Sequence, residues 1–405
     1  MPSRFTVLAL RTDPWLLAGG LLAILYLLFD NIDFLEGGLS RGQMLGRDFV
    51  NYWSAGHLLL DGRISDLYDI ERYQLAFREL TGRNLSFNTF PYPPHGLWLV
   101  LPLGWFPYFP SLAAWILVTF AICAYVLARF SRHGWKAVAF LAFAPSAAIN
   151  ISSGQNGFVS AALLCGGLLL VDRRPILAGV LLGLLTYKPQ LGLLIPFALL
   201  MGRHWTVIAS ATATVAILFG GSILLLGLGP WQEYITLTMP LQRSFAETGT
   251  GFYQVMIPTP FMAGRNLGLQ SSEAYILHLI VAVPVALVCT LLFRSNRSLP
   301  HRVAILLVGA FLVSPYAFNY DMVALGLIVY VLAAVEPSRQ SQWALRIVYL
   351  LPVLMIFGLT GLPVGPVGLL LALALLISAP KQLSLRVPTS PSGLSKPSSP
   401  QLQTL

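Results

Sequence analysis

Charged residues are scarce in this chain: they make up 10% of its 405 residues, against about a quarter in soluble globular domains. So little charge excludes a soluble enzyme, a disordered chain and a coiled coil, because water would not wet such a surface. Hydrophobic residues fill 56% of the sequence. The composition therefore predicts an all-α protein that crosses a membrane several times.

Cysteines and metal-ligand clusters are also lacking. The three cysteines, Cys123, Cys165 and Cys289, each lie within an apolar run and are predicted to be small core side chains. The six histidines are scattered, and no Gly-rich phosphate loop follows a strand. We therefore predict no metal site, no cofactor and no nucleotide-binding domain.

The basic residues follow the apolar pattern. With residues 1–13 in the cytosol, the cytosolic loops and tail hold 16 of the 25 basic residues and 3 of the 16 acidic ones. This asymmetry is the positive-inside rule, and it explains the net charge of +9 without a nucleic-acid partner. The first stretch is interpreted as an uncleaved span. The twelve apolar stretches are 14–30, 109–130, 136–150, 157–171, 175–187, 189–201, 205–228, 274–293, 302–315, 321–335, 343–359 and 362–379.

Several of these stretches are short. A 13-residue helix rises about 20 Å, against a hydrocarbon core of about 30 Å. The segment 175–201 read as one long helix would bury Lys188 at mid-membrane, a costly placement, whereas Pro189 favours a break. We predict two short helices with Lys188 at their outer tip, and a similar pair with residues 153–157 at its tip. Short helices with polar tips predict a water-filled vestibule.

Two outer loops are long. The first, 31–108, has helical patterning at 48–61 and 69–81, predicted to lie on the membrane surface, and an apolar run at 95–107 predicted to be interfacial or re-entrant. The second, 229–273, has the composition of a membrane interface. We predict one integral-membrane domain over 1–380 and a disordered, Ser- and Pro-rich cytosolic tail over 381–405.

Polar residues gather at the outer ends of the predicted spans. Asp48 begins the first loop helix, where it is either an N-cap or a general base for a hydroxyl, beside the rings of Tyr52 and Trp53. Lys188 either extends to the interface or binds a lipid-linked phosphate. Asp321 either caps a helix or pairs with Lys188 or Arg243.

Taken together, these segments resemble glycosyltransferase family 87. The resemblance runs from about Asp48 to Asp321, and the first-loop, GQN and KPQ elements together carry it. They are DFVNYWSAG at 48–56, LDG at 60–62, LYD at 67–69, YPP at 92–94, GQN at 154–156, AG at 178–179, KPQ at 188–190 and SP at 314–315.

The resemblance implies a GT-C fold of about 10–12 transmembrane helices and transfer of a hexose, mannose in the family, from a polyprenyl-phosphate donor to a lipid or glycan acceptor. It also implies a multi-pass protein of the bacterial plasma membrane with its site facing outward among membrane lipids. Asp48 matches the family's acidic catalytic residue. Lys188 and Arg243 are expected at the donor phosphate. The expected vestibule and sugar-binding residues are Tyr52, Trp53, Gln155, Asn156, Gln190, Asn319 and Asp321.

One departure from the family pattern matters. Characterised mannosyltransferases of the family carry a histidine after the Ser-Pro element, whereas residues 317–321 read AFNYD. No histidine role is carried over, and the donor sugar and acceptor stay open.

The alternative function is a transporter or lipid flippase, which would place ionisable groups near the bilayer midplane. A non-catalytic scaffold is a third reading, which the polar tips disfavour. The charged candidates of this sequence lie at the outer tips of the spans rather than near the bilayer midplane, which favours the enzyme over the transporter.

Overall fold

The computed structural model describes residues 13–32, 44–82, 89–131 and 134–380. The prediction for the tail 381–405 lies outside the described residues. Within them the chain is helical and has no β-strand. The α-helices are α1 (Pro14–Asp30), α2 (Phe49–Leu60), α3 (Ile70–Thr81), α4 (Leu97–Val100), α5 (Tyr108–Phe130), α6 (Gly134–Ala142), α7 (Pro145–Ser153), α8 (Gly157–Leu170), α9 (Pro175–Leu184), α10 (Ile195–Met201), α11 (Trp205–Leu226), α12 (Gly229–Glu233), α13 (Met239–Thr248), α14 (Phe252–Val255), α15 (Pro260–Asn266), α16 (Ser271–Phe293), α17 (Leu299–Val313), α18 (Val323–Val335), α19 (Arg339–Leu354) and α20 (Val364–Ser378).

Four helical segments of the described chain are long and apolar enough to cross a bilayer: α5, α11, α16 and Arg339–Thr360, in which α19 runs on into a 3₁₀ turn. The pair α6 and α7 makes a fifth if its 57° bend is taken as one broken span. The other apolar helices are shorter than 18 residues. These helices confirm the predicted class, a polytopic all-α membrane protein.

Helices α8, α17 and α18 form the centre of the bundle. Nearly every side chain of α17 and α18 is buried, and α8 packs against α5, α9 and α18. A helix that is apolar all round is stable only when other helices or lipid cover every face. The four longer helices, α5, α11, α16 and α19, lie outside this centre, and α11 is the least buried of them. The bilayer would cover their exposed apolar side chains.

The predicted break near Lys188 is present. Helix α9 ends in a 3₁₀ turn, and Lys188 has φ −132° and ψ 67°, outside the helical region. Helices α9 and α11 run parallel, because the Ser210 hydroxyl donates to the Ile176 carbonyl at 2.8 Å while Gly183, further along α9, lies against Thr214. The chain must therefore reverse at the break, so that α10 returns to the end where α9 began.

The loops at the two ends of the bundle are distinguished by their ion pairs. At one end Arg302 lies 3.2 Å from Asp172, Arg346 lies 2.7 Å from Asp13, and His301 lies 3.1 Å from Glu336. Each of these residues belongs to a segment that the sequence placed in the cytosol. At the other end Arg47 meets Asp30 and Lys188 meets Asp321. The ion pairs thus divide the loops into the same two groups, one at each end of the bundle, as the distribution of basic residues in the sequence.

The first long loop contains the two predicted helices, α2 and α3. Helix α2 is covered by protein: eight of its twelve residues are buried. Its partner is the 97–105 segment, where Gly56 and Gly104 meet so closely that a Cβ on either would collide with the other's backbone. The apolar face of α2, which we expected to lie against lipid, is therefore buried by the run at 95–107.

Candidate active site

A cavity of about 950 Å³ lies at the end of the bundle where the polar tips meet. Its wall is built from the start of α2, the segment 89–92, the α7–α8 turn, the break at Lys188, the helical segment 234–248, the segment 249–256 and the loop before α18. The polar and aromatic residues on this wall include Arg47, Asp48, Asn51, Tyr52, Tyr92, Gln155, Tyr187, Lys188, Gln190, Tyr234, Gln242, Tyr253, Tyr316, Phe318 and Tyr320.

A tight turn places Asp48 at the cavity. Gly46 and Arg47 both have positive φ, at 78° and 28°, a region that costs a residue other than glycine about 1–3 kcal/mol. The turn lies against Gly154, whose φ is +61° and whose position leaves no room for a Cβ beside the Gly46 carbonyl. The Asp48 amide donates to the Ser153 carbonyl at 3.1 Å. Residue 48 is thereby fixed against the α7–α8 turn.

The carboxylate of Asp48 does not cap α2. Asp48 precedes the helix, but its side chain accepts no hydrogen bond from the first turn. It accepts instead from Gln155 Nε2 at 2.9 Å. Burial raises the pKa of Asp48, while the nearby Arg47 guanidinium and the Gln155 hydrogen bond lower it less strongly. The Asp48 carboxylate therefore has a higher proton affinity than an exposed aspartate.

Lys188 lies inside the protein, 2% exposed, rather than extended to an interface. Its Nζ lies 2.7 Å from Asp321 Oδ1 and donates to Asn156 Oδ1 at 2.9 Å. The same ammonium lies 4.7 Å from the centre of the Tyr320 ring. Of the two partners that the sequence offered for Asp321, the structure selects Lys188.

A continuous series of hydrogen bonds links Lys188 to Asp48. Asn156 Nδ2 donates to the Tyr92 hydroxyl at 2.8 Å, and the Tyr92 and Tyr52 hydroxyls lie 2.8 Å apart. The Tyr52 hydroxyl donates to Gln155 Oε1, and Gln155 holds Asp48. Every side chain of this series is either buried or on the cavity wall.

The second long loop supplies the facing wall. Helices α12 and α13 are joined by a π-helical turn, Tyr234–Thr238, a distortion that is frequent at functional sites. Beyond it, Tyr316 donates to Gln242 Oε1 at 3.1 Å and accepts from the Tyr253 hydroxyl at 3.2 Å. This wall is aromatic and neutral, in contrast to the charged wall around Asp48.

The residues predicted for the site divide into three groups. Asp48, Tyr52, Gln155, Lys188 and Gln190 line the cavity. Asn156 and Asp321 lie directly behind Lys188 as its partners. The third group lies elsewhere.

The third group consists of Trp53, Arg243 and Asn319. Trp53 donates to the Phe106 carbonyl at 2.9 Å, because consecutive helical residues point about 100° apart and Tyr52 already faces the cavity. Arg243 is 72% exposed and pairs with Glu247 at 2.7 Å. Asn319 borders a separate cavity of about 70 Å³.

The sequence did not single out Arg47, Tyr92, Gln242 or Tyr316 as site residues. Arg47 stood next to Asp48, and Tyr92 belonged to the YPP element, so a signal existed for both. No periodicity indicated Gln242, which reaches the cavity through the packing of the second long loop. Tyr316 lies in the loop before α18, directly after the SP element.

The fold and the cavity define a polytopic membrane protein with a polar site at one end of its helices. Residues 90–315, more than half of the chain, match the model of glycosyltransferase family 87. The chain belongs to this family and is a membrane glycosyltransferase. This confirms the predicted family and goes against the transporter alternative. The matched region includes Tyr92, Gln155 and Lys188, whereas Asp48 precedes it. No curated protein and no solved structure matches the chain.

Proposed function

We propose that this protein transfers a hexose from a polyprenyl-phosphate carrier to a lipid or glycan acceptor on the outer face of the plasma membrane, with Asp48 as general base. The family resemblance implies mannose as the hexose. The observation that carries the proposal is a half-buried carboxylate with raised proton affinity on the wall of a cavity at the polar end of a membrane bundle.

The class of donor follows from the side of the membrane on which the active site of this proposal lies. Nucleotide sugars stay in the cytosol, so an outward-facing transferase needs a sugar that a lipid carries across. In the reaction the acceptor oxygen attacks the sugar's anomeric carbon and gives its proton to Asp48. The bond from that carbon to the phosphate oxygen breaks, and the polyprenyl phosphate leaves with the electron pair.

A cation must stabilise the departing phosphate. Among the described residues of the cavity wall, Arg47 and Lys188 are the two cations. Lys188, with a side chain 2% exposed, already has Asp321 at 2.7 Å. The Arg47 side chain is 18% exposed, and its pairing with Asp30 is longer, at 3.2 Å. We therefore assign the phosphate to Arg47, with Lys188 and Arg243, the residues expected from the sequence, as the alternatives.

The test is an assay of the purified protein in lipid nanodiscs with radiolabelled polyprenyl-phosphate hexoses and, in parallel, with nucleotide hexoses. We expect transfer to a lipid or glycan acceptor from the lipid-phosphate donor alone. Arg47→Gln should raise the donor KM more than Arg243→Gln does. Turnover with a nucleotide sugar and none with any lipid-phosphate hexose would contradict the proposal.

A further inference from the structure

The hydrogen bonds between Lys188 and Asp48 all point the same way. Lys188 has only protons to give, so it donates to Asn156 Oδ1, and the Asn156 amide then donates to the Tyr92 oxygen. Tyr52 donates its single proton to Gln155 Oε1, so in its 2.8 Å contact with Tyr92 it must be the acceptor. Gln155 finally donates to Asp48 Oδ2. The series runs from an ammonium to a carboxylate without a reversal.

A series with one direction is stronger than its separate bonds, because each hydrogen bond polarises the next. Its two ends also carry the charges that favour this direction: a cation behind the first donor and an anion at the last acceptor. Asp321, fully buried against Lys188, keeps the ammonium in place and compensates its charge. Neither end can move without breaking a buried hydrogen bond.

From this geometry, and resting on the proposed function, we propose that Lys188 is a positioning residue for Asp48: through Asn156, Tyr92, Tyr52 and Gln155 it fixes Asp48 Oδ2, so that Oδ1 receives the acceptor proton. Gln155 is the one side chain among the described residues that donates to this carboxylate. Lys188 then acts on the reaction without contacting the donor phosphate.

Tyr92→Phe tests the series at its middle, because it removes one hydroxyl and leaves the ring. We expect kcat to fall about 3- to 10-fold, the effect of losing one buried hydrogen bond, with the donor KM unchanged. The acidic limb of the pH–rate profile should move to higher pH, because weaker donation to the Asp48 carboxylate raises its pKa. The matched control is Tyr349→Phe, which removes a buried hydroxyl that donates to the Phe143 carbonyl at 2.8 Å away from the cavity wall.

A second variant tests the Lys188 end without leaving a buried charge. The double substitution Lys188→Met with Asp321→Asn removes both charges of the pair. If both ends act through one series, adding Tyr92→Phe to it should lower kcat by less than the product of the separate effects.

Two results would overturn the inference while Asp48 stays the base. One is a Tyr92→Phe enzyme with the kcat and pH profile of Tyr349→Phe. The other is a charge-neutral double variant with a raised donor KM and an unchanged kcat, which would place Lys188 at the phosphate. Asp48→Asn is measured alongside: full turnover in that variant would remove the base assignment of the proposed function and this inference with it.

Discussion

The two ends of the helical bundle both carry buried or half-buried ion pairs, yet they are built differently. At the end with Asp13, Asp172 and Glu336, the charged groups bind each other and helix carbonyls: Arg297 donates to the carbonyls of Ile377 and Ala379, at 2.6 and 2.9 Å. At the other end the charged groups line a cavity and are joined in one series. Buried charge alone therefore does not mark a site, whereas charge on the wall of a cavity does.

Of the substitutions at the two ends, Asp48→Asn at the cavity end should cause the largest loss of turnover. General-base catalysis is worth about 10²–10⁴-fold in rate, so turnover should fall by that factor. Folding should be unaffected, because the Asp48 side chain makes no capping hydrogen bond. Turnover and thermal melting of the purified variant are the measurements. An active Asp48→Asn enzyme would transfer the base role to Asp30, Asp33 or Asp321, of which Asp33 lies outside the described residues.

Lys188→Met should show that the cavity end also holds the fold together. Removing the ammonium leaves Asp321 buried without its cation, which costs about 3–5 kcal/mol. A lysine that extended to the interface could be replaced without loss of folding, but Lys188 and Asp321 are both buried. Denaturant unfolding measures the loss, and adding Asp321→Asn should recover most of it. A Lys188→Met protein of normal stability would contradict the buried pair.

The pH dependence of turnover sharpens the comparison further. Burial raises the pKa of Asp48 above its ordinary value. Asp48 acts as a base only when ionised, so turnover should be lost as the pH falls through this raised pKa, at higher pH than for an exposed aspartate. The pH–rate profile measures the limb, and thermal melting at the same pH values shows that the fold persists. A limb at the ordinary aspartate value would contradict the burial.

Arg302→Gln, at the other end, should have the smallest effect. Its partner Asp172 is 46% exposed, and ion pairs so open to solvent contribute about 0–1 kcal/mol. We expect a small change in melting temperature and unchanged kcat and KM. A fall in turnover comparable to that of Asp48→Asn would mean that the two ends are not separate in function.

Much of this arrangement could be predicted from the sequence because hydrophobicity and charge act locally. The apolar runs predicted the helices, the positions of the arginines predicted how the loops are grouped, and Pro189 predicted the break near Lys188. The positions predicted for the two first-loop helices, 48–61 and 69–81, also agree with α2 and α3, whereas their place on the membrane surface stays a prediction. These features depend on residues that are close together in the chain.

The rest of the site depends on contacts between distant segments. The pairing of Lys188 with Asp321 joins residues 133 positions apart, and no local pattern favoured Lys188 over Arg243 as the partner of Asp321. The burial of α2 required knowing that the 97–105 segment folds back onto it. Trp53 was expected in the site because its ring could stack against a sugar, but one helical step from Tyr52 turns it to a different neighbour.

The short helices around the break have a consequence for the surrounding lipid. The segments Pro175–Tyr187 and Pro189–Met201 have 13 residues each, a rise of about 20 Å, and their Ile176 and Phe197 side chains are 66% and 60% exposed. An unperturbed bilayer is about 10 Å thicker than such helices, and lipids adapt to a short apolar surface by thinning. We expect the membrane to be thinner beside the cavity. A lipid headgroup there would lie closer to Lys188 and Asp48 than it would in a bilayer of uniform thickness.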